Sequence, residues 1–367
     1  MWSVILKIVT GLLCVQKEGV SSVTAISVLS ILITNVLRGR GKDGESYDPA
    51  AQEAERKEFT RLLKSLDLSA LLSRASYLRN EILFDDGFRW LARIRRFNAT
   101  SPPPELRDYI MRSEVATLQF LRQTKVTAPK VFDYGPHGQT LVGVGYILME
   151  KLPGKSLRWS LASPEQRGEV MDQLADIYIE LISFPFDNMG SLDRPGTNHI
   201  GPFARESLTH YDDSQMILLG PCSNPRDNLR ASIELNLELI RKGESCAGRE
   251  IDAYLVHRFL LDCISEVLLY HRFDDGQFYL RHADDKGDHI LIDDDYNITG
   301  IIDWEWAYAA PISEAFKSPI MLLPVADSYN GVNCIGEDEL TFASILEEKG
   351  NKGLAAIVRN GRLLHRF

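Results

Sequence analysis

Apolar positions in the first third of the chain fall into two regimes. Residues 1–15 and 20–36 are near-continuous apolar runs, parted by Gln16-Lys17-Glu18 and followed by Arg38, Arg40 and Lys42. From residue 49 the pattern turns helical: Phe59, Leu62, Leu63, Leu66 and Ala70 stand near helical spacing and predict a helix over 49–75. Ile82-Leu83-Phe84, the turn triplet Asp85-Asp86-Gly87 and the stretch 88–94 predict a β-hairpin. Pro102-Pro103-Pro104 opens a new element, helical in pattern over 105–122, and Val131-Phe132 and 141–149 read as strands. Ser163-Pro164-Glu165-Gln166 has the form of a capping box with proline at the first helical position, so a helix is expected to about Ile182. A loop region over 184–223 precedes helices predicted at 227–242 and 251–269. Short strands then return at 278–280, 290–292 and 298–302, around a charged loop at 281–289 and a turn at 293–297. Residues 311–367 read as helices and loops. The pattern is thus α+β, with a smaller β-rich part first and a larger α-rich part carrying a small hairpin second.

The run 20–36 is about long enough for a short membrane span, but Ser21, Ser22, Thr24, Ser27, Ser30, Thr34 and Asn35 dilute it. A helix packed on the domain, or an extension foreign to the fold, are the other readings. Were it to span, the basic residues after it would keep the following domain in the cytosol. No basic region precedes the first run, so a signal peptide fits poorly. Residues 39–48 read as a linker. The expected division is an extension and linker at 1–46, a first lobe at 47–149 and a second at 150–367.

Composition narrows the partners. The 367 residues are 44% hydrophobic and 25% charged, enough for a sizeable core and two lobes. A net charge of -10 argues against nucleic acid and weakly favours a cationic small molecule. The five cysteines are odd in number and form no C-x-x-C pair, which argues against a disulfide framework or a zinc ribbon and fits a reducing, cytoplasmic compartment.

The chemistry concentrates in His282-Ala283-Asp284-Asp285-Lys286-Gly287-Asp288-His289, the hairpin that follows it, and Asp303-Trp304-Glu305-Trp306. Strand, acidic loop, strand, turn, strand, aspartate is similar to the catalytic core of phosphoryl-transfer enzymes of the kinase kind. One carboxylate meets the acceptor hydroxyl, a second holds a metal on the nucleotide phosphates, and a tight hairpin sets their separation.

These two motifs resemble those of the aminoglycoside phosphotransferase and choline kinase-like superfamily, H-x-D-x-x-x-x-N, a hairpin, then I-D-x-E, and in wording a fungal branch of it. The resemblance runs from about Tyr47 to the C-terminus. It implies a two-lobed protein-kinase-like fold, with a β-rich, nucleotide-binding N-lobe and a mainly α-helical C-lobe. It also implies ATP and Mg2+ or Mn2+ as cofactors, and a small-molecule hydroxyl acceptor. By position, Asp284 falls on the catalytic base, His282 on the histidine that props the loop, and Asp303 on the metal aspartate. Glu305 matches the acidic residue after it, and is taken with Asp285 as facing the acceptor. Arg93 in Trp90-Leu91-Ala92-Arg93 falls on the phosphate-contacting base, and Glu114 on the glutamate that orients it. Met149, Glu150 and Lys151 fall on the adenine-receiving linker.

Two departures stand out. His289 replaces the family's asparagine, and imidazole suits magnesium poorly. Either His289 binds metal, or Asp288 does so instead, or that ligand is lost. Secondly, no glycine lies between Gly44 and Gly87, where a phosphate-covering loop needs one. A non-catalytic relative of the same fold is therefore the alternative to an active kinase. A metal hydrolase using His282, Asp284, Asp288, His289 and Asp303 is a third reading.

Overall fold

The computed structural model describes residues 7–9, 12–15, 29–34, 49–81, 90–95, 101–212, 215–269 and 274–365. They divide into two compact units, one formed by residues 1–111 and 129–152, the other by 112–128 and 153–367.

The first unit is built on a six-stranded sheet. Trp90–Arg95 lies antiparallel to Tyr146–Glu150, with Arg93 opposite Ile147, and Val131–Gly135 closes one edge. Alternation puts Trp90, Ala92 and Ile94 on one face, where they bury with Leu62, Leu71, Tyr146 and Leu148. Phe132 stacks on Trp90 with ring centroids 4.3 Å apart. The helix expected over 49–75 is two helices, Pro49–Ser65 and Leu68–Glu81. Asp67 separates them: its Oδ1 accepts the Ala70 N–H at 2.8 Å, an N-cap that restarts the helix. The strand expected over 141–149 begins only at Tyr146. Gly143, in left-handed backbone at φ 79°, turns the chain where any β-carbon would strike the Ser65 carbonyl oxygen. Ile82-Leu83-Phe84 and the turn at Asp85-Asp86-Gly87 lie outside the described residues.

Within the run 20–36, the described part, Leu29–Thr34, is a strand lying parallel to Trp90–Arg95; the rest lies outside the described residues. Among the described residues no helix is long and apolar enough to cross a membrane.

The second unit is mainly helical. Its capping box forms as expected: Ser163 Oγ accepts the Gln166 N–H, Gln166 Oε1 accepts the Ser163 N–H, and the helix Pro164–Leu181 follows. That helix buries Val170, Met171, Leu174 and Leu181, and sets Tyr178 against Phe316 and Phe342, each at 5.3 Å. The predicted helix 227–242 is Pro225–Arg241, and the predicted 251–269 breaks at Cys263 into Glu250–Asp262 and Ile264–Leu268. Several short strands escaped the apolar pattern, two pairings among them. Tyr308–Pro311 is a strand paired with Phe278–Arg281, and Thr209–Asp212 forms a hairpin with Gln215–Leu218. Ile290–Ile292 is central in a three-stranded sheet, flanked by Ile298–Ile301 and Lys155–Ser156.

Candidate active site

The hairpin Ile290–Ile292/Ile298–Ile301 is closed by side-chain chemistry. Asp293 accepts the backbone N–H groups of Asp295 and Asn297 and the Asn297 side-chain amide, and Tyr296 takes a left-handed conformation, φ 64°. These bonds favour the charged carboxylate, so Asp293 is held below the usual range. The ladder runs one step past the strands, with Ile302 N–H donating to the His289 carbonyl at 2.9 Å. Asp303 follows directly, also left-handed at φ 63°, so the chain turns at the aspartate itself. Trp304 then folds back into the core, its indole N–H donating to the Ile301 carbonyl at 3.0 Å.

The loop before the hairpin is tied to this turn by one imidazole. His282 Nε2 lies 2.9 Å from the Ile302 carbonyl oxygen, and its Nδ1 accepts the Asp284 backbone N–H at 3.2 Å. One neutral ring thus spans from the residue before Asp303 to the backbone of Asp284. Burial pushes its pKa down, which keeps the tautomer that both bonds need. His282 and Trp304 meet edge to face at 4.8 Å.

The other loop residues separate cleanly. Asp284 stays partly exposed, with its Oδ2 2.9 Å from Lys286 Nζ. Asp303 and Asp288 are exposed. The hydrogen bond to Asp284 raises the Lys286 pKa; burial opposes this, and the charges of Asp284, Asp288 and Asp303 add to it. One ammonium therefore senses all three carboxylates. Asp285 turns inward instead. Its Oδ1 accepts the Ile320 N–H at 3.2 Å, its carbonyl accepts the Met321 N–H, and its carboxylate lies 3.8 Å from the buried Arg281 guanidinium. Glu305 is buried too. Both were expected to face an acceptor; Asp285 instead anchors the loop to residues 320–321.

His289 is 7% exposed, and its ring stacks on His282 at 4.2 Å. Its Nδ1 accepts the Gly287 N–H at 3.3 Å, so that lone pair is engaged in holding the loop. The ring also lines a largely apolar cavity with Tyr178, Leu280, Ile301 and Met321. Burial, with the neighbouring His282 ring and the Lys286 charge adding, pushes its pKa down from 6.5 to about 2. The native imidazole thus stays neutral where the unfolded one takes up a proton. Stability is then complete above about pH 6.5 and falls by up to about 1.4 kcal/mol per pH unit below it. Urea unfolding at about pH 7 and about pH 5 is expected to show this loss, and His289→Asn is expected to shrink it.

Among the described residues no group of three or more His, Cys, Asp or Glu is set to hold a metal ion. The exposed hard oxygens of Asp303 and Asp288 still fit Mg2+, which is held through one or two carboxylates plus phosphates and water rather than by an all-protein cage.

Of the first-lobe candidates, Arg93 and Met149 are buried in the sheet of the first unit. Glu150 is bonded to Lys130 through both backbone and side chain, Lys151 is half-buried, and Glu114 is buried on the helix Pro104–Leu121. Sequence reasoning passed over Lys286 and Arg281. The signal for Lys286 was a lone cation two residues past Asp284 in an acidic loop.

The family model for the phosphotransferase enzyme family (APH) matches residues 77–314, about two thirds of the chain. The chain belongs to this family. A subtelomeric hrmA-associated cluster protein of Aspergillus fumigatus is 39% identical over 87 residues, 23% of this chain and 17% of that protein. Altered inheritance of mitochondria protein 9 of Candida tropicalis is 37% identical over 91 residues, 22% of this chain and 15% of that one. These matches therefore span less than a fifth of the relatives' length. Among solved structures, the ADP-bound aminoglycoside phosphotransferase APH(2'')-Ib is 12% identical, with 82% of this chain and 88% of that chain covered and a TM-score of 0.44. The gentamicin–APH(2")-IIa complex is 13% identical, with 75% of each chain covered and a TM-score of 0.45.

Proposed function

We propose that this phosphotransferase-family protein moves the γ-phosphoryl of ATP to a hydroxyl of a small molecule, with Asp284 as base and Asp303 as the main metal-binding carboxylate. The observation that carries it is the His282 bridge. One half-buried neutral imidazole bonds both the Asp284 backbone and the carbonyl of Ile302, next to Asp303. The two aspartates are thereby held to one another through a rigid ring, as transfer between fixed groups demands.

In the step proposed, the acceptor oxygen forms a bond to the γ-phosphorus as the bond from that phosphorus to the β–γ bridging oxygen breaks. ADP leaves with the electron pair, and Asp284 takes the hydroxyl proton. A divalent cation, when bound, offsets the charge of the phosphates. Asp303 and the exposed Asp288 would hold it, while His289 keeps the loop in shape. Lys286 fixes the position of the Asp284 carboxylate before substrate arrives. The nucleotide contacts proposed for Arg93, Glu114, Met149, Glu150 and Lys151 rest on the family pattern.

Thermal unfolding with ATP and Mg2+ tests the reading. A ligand at a hundredfold excess over its Kd stabilises the native state by about 2.7 kcal/mol. A rise in Tm with MgATP is expected, together with ATP consumption on addition of hydroxylated amines. An unchanged Tm at millimolar nucleotide favours the non-catalytic relative.

A further inference from the structure

We propose that the outer helical face running from Ile251 to Leu269 is a self-association surface, closed in solution by the same face of a second copy of this chain. Three observations carry it. The first is an apolar stripe on the solvent side of the helices. Leu260, Leu261 and Leu268 pack around Ile233, Leu237 and Ile264, so the inner side is already used against the helix Pro225–Arg241. The outer side is apolar as well: Ile251 is 77% exposed, Leu255 62%, Phe259 66% and Leu269 65%, with Tyr254 and Val256 open beside them. A surface helix ordinarily keeps polar and charged residues on that side.

The second observation is continuity. Glu250–Asp262 and Ile264–Leu268 meet at Cys263, which keeps right-handed helical backbone at φ -81°. Its N–H donates to the Phe259 carbonyl and its own carbonyl accepts the Val267 N–H, each at 3.0 Å, so the helical ladder runs across the join. Steps of three and four residues then lead from Ile251 through Leu255, Phe259, Asp262 and Glu266 to Leu269, with Arg258 beside Phe259. The six apolar side chains leave on the order of 600 Å² open per copy, the upper end for a monomer. Two copies closing on one another would bury about 1,200 Å², where stable interfaces begin.

The third observation is charge complementarity, which selects a second copy as the occupant. Arg258 and Asp262 are exposed, four residues apart on one flank of the stripe. Antiparallel pairing about a two-fold axis level with residue 260 brings Arg258 of each copy level with Asp262 of the other. The same register sets the two Phe259 rings on either side of the axis and brings Ile251 level with Leu269. The pattern is therefore complementary to itself, with an aromatic pair at the centre, an ion pair on each flank and aliphatic side chains at both ends. An anionic membrane surface fits it less well, because Asp262 and Glu266 lie within the stripe and would be repelled.

The test is sedimentation equilibrium of the full chain over a concentration series, for wild type, Phe259→Asp, Arg258→Asp and Asp262→Arg. Wild type is expected to dimerise with a Kd on the order of 1–10 µM, the weak end for an interface of this size. Phe259→Asp is expected to weaken the dimer at least about 100-fold, the loss of a central aromatic anchor. Each charge variant alone is expected to weaken it about tenfold, because like charges then meet across the axis. Mixed in equal amounts, Arg258→Asp and Asp262→Arg are expected to recover most of the wild-type affinity, since one chain is acidic at both places and the other basic at both. That recovery reads contact between chains and not the folding of either. Four results would each overturn the proposal. They are wild type that stays monomeric at about 100 µM, a monomer that binds anionic vesicles instead, Phe259→Asp that dimerises as wild type does, and a mixture no tighter than its parts.

Discussion

Asp284→Asn is expected to lower phosphoryl transfer by about 10²- to 10⁴-fold, the range for loss of a positioned general base, with MgATP still bound. The substitution is nearly isosteric, and the loop is held by groups it does not touch. The backbone N–H of residue 284 still donates to His282 Nδ1, and Asp285 still holds Ile320. What disappears is the acceptor of the hydroxyl proton and the carboxylate facing Lys286. The effect should thus appear in kcat, with little change in nucleotide affinity and none in Tm. Transfer that survives at wild-type rate in Asp284→Asn removes Asp284 from the role of base.

Trp304→Ala is expected to be the most damaging change in the hairpin for stability. The indole is 2% exposed and among the largest fully buried side chains. Truncating such a group costs about 3–5 kcal/mol, from lost burial and the cavity left behind. The Ile301 carbonyl also loses its indole donor, and His282 loses one of the two rings it packs against. A fall in Tm on the order of 10 °C is expected. Activity should fall too, since the imidazole joining Asp284 to Ile302 loses its lateral support. Trp304→Phe, which keeps an aromatic body without the N–H, should recover most of the stability. A Trp304→Ala protein with wild-type Tm would mean that the turn after Asp303 is not anchored in the core.

The site could be read from sequence in proportion to how local its determinants are. The strands Ile290–Ile292 and Ile298–Ile301 fall where apolar runs around a D-D-D-Y-N turn place them, because the turn is closed by its own side chains. The capping box at Ser163 is local in the same sense. The orientations inside the loop are not. Asp284 and Asp285 are chemically identical neighbours, and only Ile320 and Arg281 decide that Asp285 faces inward. His289 reads as a metal ligand or as a packed ring until the Gly287 N–H and the His282 ring are in place. Tyr308–Pro311 escaped notice because Ala309 and Ala310 carry no β signal; the strand exists through its pairing with Phe278–Arg281. In the first unit the break at Asp67 needed a capping contact that periodicity does not register.

The account depends on Asp284 and Asp303 serving one metal–nucleotide centre in two different roles. Titrating MgATP into wild type, Asp284→Asn and Asp303→Asn measures this directly. The expected result is near wild-type affinity for Asp284→Asn and a loss of at least about tenfold for Asp303→Asn, the scale on which metal sites respond to loss of their ligands and supports. Equal, wild-type affinity in both variants would contradict the account, because Asp303 would then have no part in holding the nucleotide.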